Sequence, residues 1–504
     1  MSKQVARVLV MASIIVGLGV RTYQLGARSL WFDEAFSWRL TQFPVREMFQ
    51  RAAADVHPPL YYVLLRGWGE VFGDSITALR SFSVVAGGIT IYAAYLVGAA
   101  SFRSRAAGAV SAALVAVTAF QIQYAWEARM YTLGTAIVLF ASWALLHAVR
   151  RERIGWWILY ALLVAAGIYT HYYVLFTVAG QVLFILGFII FRTRGRIGEI
   201  LQWPLVWYAA GAGALAAVMF LPWLPTFLVQ RAQVQASYWI PPIGGWSIPD
   251  TFYRFYWPTT GIPLHHGVGW IVLAALPLSL TVLLWLILTR VRPRDGAGLM
   301  LLSGLVPFFA AIALSLFTAR SIYQDRFFVF AQLFILIGWA GLLTKLPRRW
   351  LRITAPVILI SLLATTSLRY WLELDIPRHP GAHAAVRYLF TERQGEEPIA
   401  VSSPFVYFAV LQYAEHDFNS TAPRLYSESG ELAHFAGGPI LIAEDTLGPE
   451  LFATSSAALW IVDTTGFGGQ PLTPPPPWRP EDTASYPEVF PYQGEVSVTK
   501  YVKK

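Results

Sequence analysis

The sequence has 504 residues, of which 56% are hydrophobic and 13% are charged, and its formal net charge at pH 7 is +9. A soluble protein of this length needs far more polar surface, so the composition excludes an ordinary soluble enzyme and predicts a polytopic membrane protein. The chain has no cysteine, which excludes disulfides, thiolate nucleophiles and cysteine-bound metals. Its lysines and arginines cluster at the ends of apolar segments, as membrane topology requires, so we expect membrane lipids and no nucleic acid as partners.

Eleven apolar segments have roughly the length that a bilayer demands, about 17 to 25 residues. They predict transmembrane helices at 8–26, 76–100, 107–121, 131–149, 155–171, 174–191, 204–222, 269–289, 298–317, 326–343 and 353–369. The first segment is preceded by Lys3 and Arg7 and followed by a poor cleavage site, which indicates an uncleaved helix.

Alternate connections between these segments are basic, for example Arg150, Arg151 and Arg153. The positive-inside rule places them in the cytoplasm together with the N-terminus. The opposite connections, including 27–75 and 223–268, then face outward with the C-terminal tail. We therefore predict a multi-pass protein of the bacterial inner or plasma membrane, with a transmembrane domain over residues 1–369.

The composition changes from residue 370 onward, where charge and proline increase and apolar runs shorten to the length of strands. A helical pattern at 383–393 precedes strand-like runs that include PIAVSS (398–403), PILIAE (439–444) and EVSVTKYV (495–502). A proline-rich loop, PLTPPPPW, comes before the last of these. This alternation predicts a small extracytoplasmic α/β domain over residues 370–504.

The first outer loop carries an acidic pair, Asp33 and Glu34, within the aromatic sequence WFDEAFSW. Two carboxylates in such a frame can provide a general base whose pKa is raised by partial burial. The alternative is an acidic helix start with Ser29 as its cap, which the helix dipole favours.

Further along this loop, Asp55 and His57 precede a Pro-Pro pair that fixes the entry of the next helix. His57 can hold a phosphate oxygen, orient a carboxylate, or merely satisfy a backbone carbonyl. The flanking segments 44–53 and 58–72 are predicted as short helices at the membrane interface.

Three other outward positions carry polar groups. Glu127 and Arg129 lie between the third and fourth helices, where an arginine suits a phosphate or forms a structural ion pair with the glutamate. Arg320 and Arg326 lie on the outer face, where the positive-inside rule does not require basic residues, although snorkelling can explain Arg326. His171 lies at a tight turn rich in tyrosine, for which packing is the alternative to a substrate role.

The spacing of histidines in this sequence matches no strong metal-binding motif. His265 and His266 are adjacent, and adjacent histidines rarely bind one metal well. We therefore predict that no cofactor is required, with a divalent metal only weakly supported and no metal ligands assigned.

The ordered motifs WFDEA, HPPLYY, EARMYTL, THYY and QDRFF resemble a bacterial branch of the GT-C glycosyltransferases. This branch contains the protein O-mannosyltransferases and the lipid A aminoarabinose transferase, and the resemblance covers about residues 1–345. It implies a polyprenyl-phosphate-linked sugar as donor and a lipid, glycan or protein as acceptor, with transfer at the extracytoplasmic face.

The resemblance also implies roles for individual residues. It assigns Asp33 as the general base with Glu34 as its partner, and it implies inversion at the sugar. The expected ligands of the donor phosphate are Arg129, Arg326, His57 and Arg320. The expected substrate cavity contains Asp55, Tyr61, Glu127, Tyr131, His171 and Tyr323.

Two other functional classes remain open from the sequence. A transporter or flippase of a polyprenyl-linked glycan also needs cations near a lipid phosphate, but it typically places ionisable groups near the bilayer midplane and contains inverted repeats. An assembly protein anchored by its helices would not need eleven of them.

Overall fold

Helices account for most of the structure, a computed structural model that describes residues 1–257, 268–428 and 430–503. At 268–274 it describes the backbone alone. Within these ranges the chain forms twenty α-helices. In chain order they are α1 Lys3–Thr22, α2 Phe32–Gln42, α3 Val45–Ala54, α4 Leu60–Phe72, α5 Ile76–Phe102, α6 Arg105–Val117, α7 Ala119–Ala125, α8 Tyr131–Arg151, α9 Ile154–Thr170, α10 Val174–Thr193, α11 Ile197–Gln202, α12 Pro204–Phe220, α13 Leu224–Ala236, α14 Ser247–Tyr256, α15 Val268–Leu288, α16 Arg294–Phe317, α17 Val329–Leu343, α18 Leu351–Glu373, α19 Gly381–Glu392 and α20 Pro404–Phe418.

The membrane-spanning helices confirm the polytopic fold. Eight helical segments of the described chain are long and apolar enough to cross a membrane, and α6 with α7 makes a ninth if the bent pair is one span. The other two predicted segments coincide with α9 and with α15. Each of the eleven predicted segments thus coincides with a helix.

A buried arginine stabilises the bend of 61° between α6 and α7. Arg21, in the last turn of α1, donates hydrogen bonds to the carbonyl oxygens of Val115 (3.0 Å) and Ala116 (2.8 Å). These carbonyls lie in the last turn of α6, where a helix leaves its acceptors unpaired. A cation at this end also complements the helix dipole.

The first outer loop folds into α2, α3 and α4. The predicted short helices at 44–53 and 58–72 are confirmed as α3 and α4. The expected cap is wrong, because α2 begins at Phe32 after Trp31, with no side-chain cap. The Ser29 carbonyl oxygen instead accepts a hydrogen bond from Arg80 (3.0 Å).

The C-terminal tail contains a six-stranded mixed sheet, which confirms the predicted α/β class. Its strands are β1 Ile399–Val401, β2 Pro423–Tyr426, β3 Thr446–Leu447, β4 Ala458–Thr464, β5 Trp478–Pro487 and β6 Glu495–Lys503. The spatial order is β3-β2-β1-β4-β6-β5, in which β1 to β4 run parallel and β6 pairs antiparallel with both β4 and β5. Helices α19 and α20 pack on one face.

Two details of the tail differ from prediction. PILIAE is not a strand but two 3₁₀ turns, Gly438–Ile440 and Ala443–Asp445, because Pro439 has no N–H for a ladder and the Asp445 carboxylate accepts from the Ile442 N–H (3.0 Å). β5 follows the proline-rich loop and was not predicted. It lies at the edge of the sheet, where prolines such as Pro480 are tolerated.

One hydrophobic core joins the first outer loop to the tail. It contains Phe36 and Trp38 of α2 together with Tyr407 and Val410 of α20 and Val462 of β4. The Leu30 N–H also donates to the Tyr413 hydroxyl (2.7 Å). The tail therefore fixes the position of α2, which carries the acidic pair.

Candidate active site

The two acids of the first outer loop lie in the first turn of α2 but face different surroundings. Glu34 is fully buried, and its two carboxylate oxygens accept from Arg80 Nε and Nη2, each at 2.7 Å. The Ala128 N–H donates to the same carboxylate (2.9 Å). Burial alone would raise the pKa of Glu34, but Arg80 and Arg28 outweigh it and hold the pKa below its usual range. Glu34 is therefore an ionised member of a buried ion pair.

The carboxylate of Asp33 is more accessible, with 24% of its side chain exposed. Its Oδ2 lies 3.2 Å from Arg326 Nη1 and 4.0 Å from Arg129 Nε. Arg326 comes from the 3₁₀ turn Asp325–Phe328 before α17, and Arg129 from the loop between α7 and α8. Two distant parts of the chain thus converge on the carboxylate of α2.

Arg129 is almost completely buried and holds several groups of the site together. Its Nη1 donates to the Asp33 carbonyl oxygen (3.1 Å), to Ser37 Oγ (3.2 Å) and to the Tyr62 hydroxyl (3.3 Å). Its Nη2 lies 3.2 Å from His57 Nε2. An arginine at this depth is stabilised by such contacts rather than by solvent.

The tautomer of His57 follows from these contacts. Arginine has only donors, so His57 Nε2 accepts from Arg129 and the ring proton is on Nδ1. That proton is donated to Asp55 Oδ2 at 2.7 Å. His57 is thus neutral in this arrangement, and it links Asp55 to Arg129.

A cavity of about 380 Å³ opens beside His57. Its walls are mostly apolar, from α10, α13, α16 and the segment after α13. His171, Tyr238 and Arg231 of α13 also line it. No hydrogen-bond or ion-pair partner of Arg231 is found among the described residues, so its charge is free to meet a ligand.

The structure brings most of the predicted site residues together. His171 lines the cavity, and its ring packs against Tyr131 (centroids 5.6 Å apart). Asp55 contacts His57 as described above. Glu127 is 4% exposed, and the charges of Arg28 and Arg326 act on it.

Three predicted residues lie away from Asp33 and the cavity. Tyr61 is buried in the core shared with the tail and packs on Tyr62 and Phe82. The Tyr323 hydroxyl donates to Thr251 of α14 (3.0 Å). Arg320 is exposed, and its Nη2 donates to the Ala236 carbonyl oxygen (3.4 Å) at the end of α13.

Sequence reasoning missed several contributors. Ser37 follows Asp33 by one helical turn, so its proximity was available from the period of α2. Trp239 lies over Arg326 at 5.4 Å, and Tyr492 of the tail lies edge-on to Trp31 at 6.5 Å. These contacts depend on tertiary folding, and no local pattern indicates them.

Among the residues the structure describes, no group of three or more metal-binding side chains is found. His265 and His266, the weak metal candidates, lie outside the described ranges.

Comparisons with known proteins agree with this architecture. Residues 56–225 match the sequence model of a family described as dolichyl-phosphate-mannose-protein mannosyltransferase. The fold resembles a crystal structure of ArnT from Cupriavidus metallidurans in the apo state, with a TM-score of 0.58, 12% identity and 98% of each chain covered. A second ArnT structure from this organism, bound to undecaprenyl phosphate, gives a TM-score of 0.53 with 12% identity and 97% of each chain covered. No curated protein gives a significant sequence match.

These findings define the class of the protein as a polytopic membrane protein with the GT-C fold, and the resemblance drawn from the five motifs is confirmed. Within this class, the likeness to ArnT extends over nearly the whole chain, including the C-terminal sheet.

Proposed function

We propose that this protein is a membrane glycosyltransferase that moves a sugar from a polyprenyl-phosphate donor to an acceptor hydroxyl. The observation that carries the proposal is the partly exposed Asp33 carboxylate, held by Arg326 and close to Arg129. Arg129 in turn contacts His57, which lines the apolar cavity. Such a reaction needs a base for the acceptor hydroxyl, cations for the phosphate and an apolar cavity for the prenyl chain, all close together. The matched family segment and the GT-C fold support the same class of activity.

The donor occupies the cavity beside His57. Its apolar walls suit a prenyl chain, and ArnT, which has the same fold, is known in a form bound to undecaprenyl phosphate. Arg129 and Arg326 provide charge for the phosphate, and the free guanidinium of Arg231 reaches the same space. Planar guanidinium groups are well matched to phosphate oxygens.

Transfer proceeds by a single displacement. Asp33 accepts the proton of the acceptor hydroxyl while its oxygen attacks the anomeric carbon. The bond between that carbon and the phosphate oxygen breaks, and polyprenyl phosphate leaves with its charge stabilised by Arg129 and Arg326. A single attack opposite the leaving group inverts the configuration.

Asp33 rather than Glu34 is assigned as the base. Both oxygens of Glu34 are engaged by Arg80, and the carboxylate has no exposed surface. Its part is to hold the start of α2. His57 serves as an acceptor for Arg129 rather than as a cation for the phosphate, because its proton faces Asp55.

The reaction is placed at the extracytoplasmic face. The positive-inside rule assigns the loops that carry Asp33, Arg129 and Arg326 to this side, together with the tail. The N-terminus is then cytoplasmic.

The test supplies radiolabelled undecaprenyl-phosphate mannose and glucose, separately, to purified protein in nanodiscs with envelope extract as acceptor. We expect transfer from at least one donor and a loss of at least 100-fold in Asp33→Asn, since a positioned base contributes about 10²- to 10⁴-fold. Asp375→Asn is the matched control, because the side chain of this partly exposed aspartate pairs only with Arg378 among the described residues. Equal transfer by Asp33→Asn and wild type would refute the assigned base. Movement of the labelled lipid across a vesicle membrane with no new glycosidic bond would favour the transporter instead.

A further inference from the structure

A second cluster of side chains adjoins Asp33 without lining the donor cavity. It consists of Arg28, Trp31, Glu127, Phe490 and Tyr492, from the first outer loop, the α7–α8 loop and the tail; we refer to these five residues as the Trp31 cluster. Arg326, the partner of Asp33, lies over the Trp31 ring at 5.2 Å, and Trp31 lies edge-on to Tyr492 at 6.5 Å. The cluster is therefore continuous with the proposed base.

The rings of the tail complete this cluster. Phe490 and Tyr492 stack at 5.5 Å with an angle of 12° between their planes, and the Arg28 guanidinium lies over Phe490 at 5.6 Å. Tyr492 is 47% exposed, so the cluster has access to solvent. Burial raises the pKa of the Tyr492 hydroxyl above the usual value, and the charges of Arg326, Glu127 and Arg28 also act on it.

Three polar atoms of the cluster are buried without hydrogen-bond partners among the described residues. They are Nη1 of Arg28, Nε1 of Trp31 and Oε2 of Glu127, and the three residues are 6%, 7% and 4% exposed. A buried polar atom without a partner destabilises the fold, so these three atoms, on side chains of one cluster, are groups with which a ligand can pair. Two of the atoms are donors and the third is an acceptor.

The loop that carries Tyr492 is closely packed. It packs against the turn after β4, where a Cβ on Gly466 would overlap the Gln493 carbonyl oxygen. In the same turn Phe467 has a φ of +55°, a strained conformation for a non-glycine residue, and its ring contacts Tyr492 at 5.7 Å. Such a supporting arrangement holds Tyr492 in one orientation.

We propose that the Trp31 cluster binds the acceptor and that this acceptor is a neutral saccharide. A sugar hydroxyl both donates and accepts, so it can pair with Glu127 and with Trp31 or Arg28 at once. The exposed ring of Tyr492 offers an apolar face to the C–H groups of a sugar ring. Arg28 balances the charge that Glu127 carries when it is ionised, which suits a ligand without net charge. The inference rests on the proposed function, because it places the acceptor hydroxyl beside Asp33.

Burial supports the role of Glu127, since it raises the pKa of this carboxyl to about 7 against the opposing charge of Arg28. Near neutral pH the group exists both as acceptor and as donor, and either form can bond to a sugar hydroxyl.

Saturation-transfer NMR on the full chain in nanodiscs tests the proposal, with the methyl glycosides of mannose, glucose, galactose and N-acetylglucosamine as probes. We expect at least one to bind, with its Kd raised at least tenfold in Glu127→Gln and in Tyr492→Ala. Tyr492→Phe keeps the ring and should remain within about threefold of wild type. Glu392→Gln and Tyr486→Ala, which change the same residue types elsewhere in the tail, serve as controls.

Undecaprenyl phosphate binding is measured on the same samples. Retained binding shows that the variants are folded, and its absence from wild type would refute the proposed donor whatever the glycosides do. No glycoside binding by wild type, or equal binding by wild type and both loss variants, would overturn the acceptor site. Binding of a serine-containing peptide that depends on Glu127 and Tyr492, without glycoside binding, would overturn the saccharide assignment.

Discussion

Asp33 and Glu34 are neighbours in the chain, yet α2 directs their carboxylates to different places. Successive residues on a helix do not share a face, so one side chain points to the accessible side and the other into the protein. Glu34 meets Arg80 at 2.7 Å, whereas Asp33 meets Arg326 at 3.2 Å with a quarter of its side chain exposed. One acid is thereby used for stability and the other is available for chemistry.

We predict that Glu34→Gln destabilises the protein more than Asp33→Asn does. The first change leaves the buried Arg80 without its counter-charge, at a cost of about 3–5 kcal/mol. The second affects a partly exposed pair, for which about 0–1 kcal/mol is usual. Thermal unfolding in detergent measures both changes, and equal shifts in Tm would contradict the assignment. The pKa of Glu34 is lowered in the folded state, so its contribution is present at neutral pH and is lost as pH falls through that lowered value.

The acidic pair itself could be recognised from its motif, but the division of roles could not. Arg80 lies 46 residues after Glu34, so no local sequence pattern indicates that the two residues pair. The same holds for His57, whose position suggests a phosphate ligand. Its actual partner, Arg129, is 72 residues away.

We predict that Asp55→Asn weakens binding of undecaprenyl phosphate about tenfold, or about 1.4 kcal/mol. Asparagine can donate its amide to His57 Nδ1, which moves the ring proton to Nε2, where it opposes Arg129. A titration of purified protein with the lipid measures the effect. Asp74→Asn, at an exposed position between α4 and α5, is the control. Unchanged affinity in Asp55→Asn would exclude the link from Asp55 through His57 to Arg129.

At the scale of elements, the membrane helices were predictable because the bilayer imposes one length and one composition on all of them. The strands of the tail were less predictable, because the stability of a short strand depends on packing against the neighbouring strands. PILIAE is as apolar as a strand, but Pro439 and the acceptor carboxylate of Asp445 favour turns. β5 is rich in polar residues and proline, so its composition does not predict a strand. It forms because it pairs with the edge of β6, from Trp478 opposite Lys503 to Pro487 opposite Glu495.

The bend between α6 and α7 shows how an element can depend on a distant residue. Thr118 interrupts the span, and the carbonyls this leaves at the end of α6 are satisfied by Arg21 of α1. Because α7 leads into the loop that carries Arg129, the bend sets the direction in which that loop approaches α2. The sequence shows that Arg21 lies within an apolar segment, but it does not indicate which carbonyl oxygens accept its hydrogen bonds.

At the scale of the whole molecule, the tail is an integral part of the site rather than an appendage. Arg39 of α2 bonds to both oxygens of Asp445 (3.0 and 3.2 Å), and Asp445 also accepts from the Tyr407 hydroxyl (3.0 Å). Arg51 of α3 donates to the carbonyl oxygens of Pro439 and Leu441. With the shared apolar core, these contacts bind α2 and α3 to the sheet domain.

We therefore predict that a chain ending at Glu373 loses the ordered first outer loop but keeps its membrane helices. Trp38 and Phe36 would lose the core they share with α20, and fully burying one such side chain is worth about 1.5–3 kcal/mol. Hydrogen exchange followed by mass spectrometry should show fast exchange in α2 and α3 and continued protection in α8 and α10. Asp445→Asn, which removes the charge that pairs with Arg39 and keeps an oxygen that can accept a hydrogen bond, should give an intermediate increase in α2. Full protection of α2 in the truncated chain would show that the first outer loop folds without the tail, and the site would then be complete within the membrane part.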